Sequence, residues 1–167
     1  MINARLCFND HAEYISAKSA KIASFLSSLM PNVGGPKKSS RRLLATVVPS
    51  IMLYAAPIWK EAIVTISYRR QMVSVYRGVS LRTVSAFPTV SYEAVCVIAR
   101  MPSVELLVEE KTRHYGRRLH VSREEERKIT IDQWQQCWEA ADSGRWSCRL
   151  IPEVGTWYVH QHGEVDF

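Results

Sequence analysis

Seventeen residues in a row, Leu43 to Trp59 (LLATVVPSIMLYAAPIW), carry no charge, and any fold of this chain has to put them somewhere dry. Lys37, Lys38, Arg41 and Arg42 stand just before them. A membrane-spanning helix needs about 17–25 apolar residues, so the run is at the lower limit, and Pro49 and Pro57 interrupt it. Leu44, Val47, Val48, Ile51, Ala55, Ile58 and Trp59 fall on one helical stripe. The expectation is a buried central helix kinked at Pro49, with a membrane-associated segment as the lesser reading and no membrane partner. Hydrophobic residues form 47% of the 167, enough for a packed core and too many for a disordered chain.

The pattern elsewhere is helical. Ile15, Ile22, Leu26, Leu29 and Met30 make an apolar stripe that ends at the loop PNVGGPKKSS (31–40). Ser39 or Ser40 is placed to cap the next helix. A further helix is expected over about 61–77, with Tyr68, Met72, Val75 and Val79 on one face and Arg70 and Arg77 on the other, flanked by Arg69. Gly78 is its expected stop. Ser91 with Glu93, and Ser103 after Pro102, mark two more helix starts, the second ending near Gly116. Residues 117–128 read as a solvated linker or first turn. Capping boxes are expected at Ser122 with Glu125 and at Thr130 with Gln133, before an amphipathic stripe of Ile131, Trp134, Trp138 and Ala141 that stops at DSG (142–144). Residues 2–8 could form one strand. The fold class is therefore mainly α: a helical bundle with a helical C-terminal extension and at most one short N-terminal strand.

Charge is unevenly spread. Between Tyr14 and Tyr92 stand eleven Lys/Arg and a single acid, Glu61, whereas residues 93–167 hold ten bases and thirteen acids. A basic block of this kind suits a phosphate-facing surface, and it equally suits a solubilising face. The cations at helical spacing, Arg69, Arg70 and Arg77, are the better phosphate candidates. GGPKK (34–38) could offer amides and lysines to a phosphate but reads more simply as a turn.

Other chemistry is sparse. No phosphate-binding loop, nucleophile elbow or zinc-protease helix motif occurs. The acidic clusters at 105–110 and 124–126 read as solvated helix faces, with i,i+4 partners such as Glu109 to Arg113. Cys137, Cys148, His160 and His162 do not have the spacing of a zinc finger, and buried thiols with surface imidazoles are the simpler account. No secretory signal is read at the N-terminus, so Cys7, Cys96, Cys137 and Cys148 are expected to be free thiols in a reducing, intracellular compartment. Trp134 and Trp138 are expected in the core, not as base-stacking platforms.

Several stretches together resemble the reverse transcriptases of arthropod non-LTR (LINE-type) retrotransposons, the group of jockey and the type-1 ribosomal-DNA elements. They are ARLCFNDHAEYISAKSAK, LMPNVGGPKKSSRRLLATVV, IMLYAAPIW, YRRQMVSVYRGVSLRTVSAFPTVSYEAVCVIARMPSVELLVEE and WQQCWEAADSGRWSCRLIPEVGTWYVHQHGEVDF. The resemblance implies a remnant of the last palm strand in 1–9, a thumb-like helical region in 10–83, a helical connector in 84–120 and a Trp-rich helical region in 121–167. It also implies that the polymerase aspartates, the endonuclease and the Cys–His zinc knuckle belong to segments outside these residues. No Asp-Asp pair occurs here. Two positions depart from the family pattern: Pro88 replaces a usual Arg, and Arg100 replaces a usual Gly.

A thumb grips the primer–template duplex through cations aimed at phosphates. On that basis Lys37, Lys38, Arg41, Arg42, Arg69, Arg70 and Arg77 are expected to face the phosphates of an RNA–DNA or DNA duplex, along one side of the helical body. Catalysis is not expected from these residues alone, and no cofactor is; the parent polymerase would use divalent metal, Mg, held by its palm, and would work in nucleus and cytoplasm. The alternative is an inert, partly folded element remnant that exposes apolar faces once buried against its palm partner.

Overall fold

The computed structural model describes residues 9–60, 66–117 and 121–160, with side chains from Glu13 onward. The strand expected at 2–8 lies outside them, as do the first residues of the helix expected from 61 and the last residues, His162 included. Among the described residues the regular structure is all helical and there is no strand, as the mainly-α expectation requires.

The first helix, α1 (Asn9–Leu29), packs along α5 (Ile66–Thr83) and against α3 (Val47–Met52). Its apolar stripe works as expected at Ile15, Leu26 and Met30, all buried, while Leu29 at the edge is exposed. Helix α2 (Lys38–Ala45) also lies on α5. Its N-cap is Lys37, without a side-chain cap, not Ser39 or Ser40, which fall in the first turn.

The uncharged run is not one kinked helix. It is split into α2, α3 and a short α4 (Ala56–Trp59). The first break is at Thr46, directly after Ala45. Pro49 explains the place, because a proline ring clashes with the carbonyl four residues earlier, which here is that of Ala45. The buried positions are Ala45, Val48, Met52, Ala56 and Trp59. The expected stripe shared only Val48 and Trp59 with this set; Val47 and Ile58 are exposed. The breaks rotate the later turns relative to a straight helix, so the periodicity drifts. Trp59 is fixed by its indole N–H donating to Tyr54 O at 2.7 Å.

Helix α5 runs straight through Gly78, which was expected to end it. A helical Gly costs about 1 kcal/mol against Ala. Val79, Ser80, Leu81 and Thr83 beyond it are all buried, and that burial outweighs the local penalty. The inward face is Met72, Tyr76, Val79 and Thr83. Tyr76 is its centre, almost wholly buried, with its hydroxyl donating to Pro102 O at 2.8 Å.

Helix α6 (Tyr92–Ala99) starts at Ser91, whose Oγ accepts from the Ala94 amide at 3.2 Å, as expected. It ends in a Schellman turn: Met101 N–H donates to Cys96 O at 2.9 Å and Arg100 N–H to Val97 O at 3.0 Å. Arg100 is therefore left-handed, φ 55° and ψ 41°. A glycine is the usual occupant of such a position, because it has no Cβ to clash.

Helices α7 (Val104–Arg117) and α8 (Arg123–Glu139) pack together, and α10 (Val154–Val159) lies on α8, with α9 (Arg145–Leu150) between them in sequence. The capping box at Ser122 and Glu125 is present. The one expected at Thr130 and Gln133 is not, since α8 continues through both. Trp134 and Trp138 are core residues, as expected. The acidic cluster at 124–126 is not uniformly solvated. Glu126 is fully buried and accepts from Arg113 Nε at 2.9 Å. The same guanidinium donates to Gln133 at 3.0 Å and to Thr130 at 2.8 Å, and Glu109 approaches it at 3.7 Å. Glu110 is buried too and pairs with Arg127 at 3.0 Å. These pairs clamp α7 to α8, which local charge patterning could not reveal.

Candidate nucleic-acid interface

The seven cations expected to face phosphates do not share one surface. Arg41 is 5% exposed. Its Nε donates to Pro36 O at 2.8 Å, and its terminal nitrogens donate to Arg82 O at 2.9 Å and to the carbonyls of Met30 and Pro31. The side chain thus ties the 30–36 loop and α2 to the end of α5. A guanidinium has five N–H donors; here they are turned inward, so Arg41 is a structural clamp and not a phosphate contact. Gly35 makes the clamp possible, because a Cβ there would overlap both the Arg41 guanidinium and the Pro31 carbonyl. The loop GGPKK is accordingly a turn wrapped around an arginine.

Arg77 is also engaged. It donates to Pro88 O and to Val90 O at 2.6 Å, pinning the loop between α5 and α6. Arg69 pairs with Glu105 at 3.3 Å. Lys37 is exposed at the start of α2. Lys38, Arg42 and Arg70 are exposed and have no ion pair or hydrogen bond with another described residue.

Arg69, Arg70 and Arg77 line a groove of about 1090 Å³ between α5, α6, α7 and α8. Glu93, Glu105 and Glu109 line it as well, three carboxylates against three cations. Glu105 accepts from the Tyr92 hydroxyl at 3.1 Å, and that hydroxyl accepts from the Val104 amide at 3.0 Å. Burial, then the charges around Cys96 and Glu105, push the Tyr92 phenol far above its ordinary range, so it stays a neutral donor. The groove is balanced in charge and does not draw an anion by itself.

Arg42 faces elsewhere. It lines a second groove of about 580 Å³, between α3, α7, α8 and the turn after α6, together with Arg100, Lys111, Arg123 and Arg127. The one acid in that lining is Glu110, already paired with Arg127. Of the five cations, only Arg42 belongs to the basic block seen in the sequence. The other four come from the segment that is net acidic. Its acids Glu110 and Glu126 are consumed in internal pairs, so regional net charge pointed away from this basic groove. The only sequence signal was Arg100 standing in a position that suits glycine.

Cys137 is exposed and Cys148 half-buried, and among the described residues no three His, Cys, Asp or Glu side chains gather as a metal site. Among those residues no helix is long and apolar enough to cross a membrane. Compared with known proteins, the chain matches no family model, no curated protein and no solved structure.

Proposed function

We propose that this chain is the thumb-like and connector part of a non-LTR retrotransposon reverse transcriptase, and that it contacts the phosphates of a primer–template duplex without catalysing nucleotide transfer. The resemblance of the sequence stretches supports the origin. The observation that supports the activity is the state of Lys38, Arg42 and Arg70. They are exposed, unpaired among the described residues, and carried on α2 and α5, helices that pack on each other. Cations held this way cost nothing to redirect to a backbone and read no base. Arg41 and Arg77 are withdrawn from the contact set because their donors are used within the fold. The sequence holds no Asp-Asp pair of the kind the resembled polymerases use, and the reading contains no catalytic step.

The test is binding of an RNA–DNA hybrid over a salt series. Each phosphate neutralised contributes a slope of about −0.9 in log K against log salt for a B-form duplex. Replacing Lys38 and Arg70 with Ala should flatten the slope by about two for the pair and leave thermal stability unchanged. A slope that does not respond to either substitution rules the contact out. A second reading, an inert and partly folded remnant, is favoured by Phe25, Leu29 and Val33, large apolar side chains left exposed along and after α1. It predicts strong binding of a hydrophobic dye and no salt-dependent binding of the hybrid.

A further inference from the structure

The groove that holds Arg100 carries an electrostatic debt. Arg100 is 9% exposed, and no described residue accepts a hydrogen bond from its guanidinium; one terminal nitrogen is buried outright without a partner. Its contact is with the Trp157 ring, 5.3 Å from guanidinium carbon to ring centre. That ring is itself held by its indole N–H donating to Val97 O at 2.9 Å. A cation–π contact offsets part of a buried charge but supplies no acceptor. The nearest influence makes matters worse: burial first, then the positive charge of Arg42, lower the Arg100 pKa. The backbone under it is left-handed, which is a cost for any residue with a Cβ. Arg100 is thus strained, desolvated and short of an anion.

Its surroundings fit an anion. Arg42, Lys111 and Arg123 line the same groove and have no ion pair with a described residue. Arg127 is neutralised by Glu110, but the second Glu110 oxygen, Oε2, is buried without a donor. An occupant therefore has to bring several acceptor oxygens and at least one hydroxyl. A carboxylate has two oxygens and one charge and would leave most of these cations unmet. A phosphate offers more oxygens and up to two charges, and either a P–OH or a neighbouring sugar hydroxyl can donate to Glu110.

We infer that the groove bounded by Arg42, Arg100, Lys111 and Arg123 is a binding site for a phosphate group, with the Arg100 guanidinium at its floor. The site shares Arg42 with the duplex-contact reading, but Arg100 at its floor and Lys111 and Arg123 on its walls lie outside that contact set, so it stands whether or not that reading holds. The phosphate can come from a nucleic-acid strand or from a free phosphate, and Tyr54, exposed on the groove's rim, gives a strand's base a ring to stack on.

The experiment is calorimetric titration of the full chain, in a phosphate-free buffer of low ionic strength, with inorganic phosphate, with acetate and with a single-stranded thymidine oligonucleotide. Phosphate should bind and acetate should not. Arg100→Gln should weaken phosphate binding about tenfold or more, the effect of one charged hydrogen bond. Should Arg100→Gln fail to fold, Lys111→Gln, on the groove wall and half-buried, should weaken binding severalfold, while Arg69→Gln in the balanced groove leaves it unchanged. An oligonucleotide that competes with phosphate and binds more tightly assigns the site to a strand. Phosphate binding without such competition assigns it to a free phosphate. Absence of phosphate binding to the folded wild-type chain, equal binding of acetate, or equal binding by the Arg100 and Lys111 variants would overturn the inference.

Discussion

Replacing Arg100 by glycine should make the protein more stable, and the size of the gain can be worked out. An L-residue in the left-handed region costs about 1–2 kcal/mol. Glycine removes that cost but returns about 0.4–1 kcal/mol through the entropy of the unfolded chain. The unpartnered guanidinium nitrogen costs about 1–3 kcal/mol, which the substitution also removes. Against this stands the lost contact with Trp157, worth about 0.5–2 kcal/mol. The net is about 1 kcal/mol in favour of glycine. Urea unfolding in phosphate-free buffer should show a higher midpoint with an unchanged slope. Arg100→Ala provides the control. It removes the charge but keeps a Cβ at positive φ, so it should be less stable than Arg100→Gly by about 0.5–1 kcal/mol. Equal stability of the glycine and alanine variants would refute the assignment of a left-handed C-cap. A glycine variant less stable than wild type would show that the arginine is already satisfied. Saturating phosphate should narrow or reverse the difference between wild type and the glycine variant, since a ligand stabilises only the protein that binds it.

Three more outcomes are expected. Gly35→Ala should cost about 2 kcal/mol, because its Cβ meets the Arg41 guanidinium and a backbone carbonyl that cannot both retreat; a neutral result in thermal unfolding would mean the Arg41 clamp is not as drawn. Glu126→Ala should cost about 3–5 kcal/mol by stranding the Arg113 guanidinium, and the double change Glu126→Leu with Arg113→Met should recover most of it; an unrecovered loss would contradict the view that the penalty is an unpaired charge. Iodoacetamide at about pH 8.5 should label exposed Cys137 in the native protein and spare Cys96 until denaturant is added. Burial, and next the charge of Glu105, push the Cys96 thiol far above its ordinary range, so almost no thiolate is present at that pH; native labelling of Cys96 at the rate of Cys137 is the contrary result.

The sequence by itself determined the mainly-α class, the caps at Ser91 and Ser122, the core role of Trp134 and Trp138, and the burial of Val48 and Trp59 within the Leu43–Trp59 run. Each of these is written in contacts within a few residues of one another, where helical periodicity and capping act. It misjudged the end of α5 at Gly78, because the burial of Val79, Ser80, Leu81 and Thr83 is settled by neighbours distant in the chain. It misjudged the stripe across α2 to α4, because the break set by the Pro49 ring turns the later residues off a straight helix. Only the tertiary structure decided which charges are spent and which are available. Arg41 looked like a surface cation until four carbonyls from two segments, the 30–36 loop and the end of α5, closed on it. Arg100, Lys111 and Arg123 looked like scattered bases in an acidic half until buried pairs took Glu110 and Glu126 out of the balance. Coulomb interactions depend on distance and solvent exposure, and neither is a property of position along the chain.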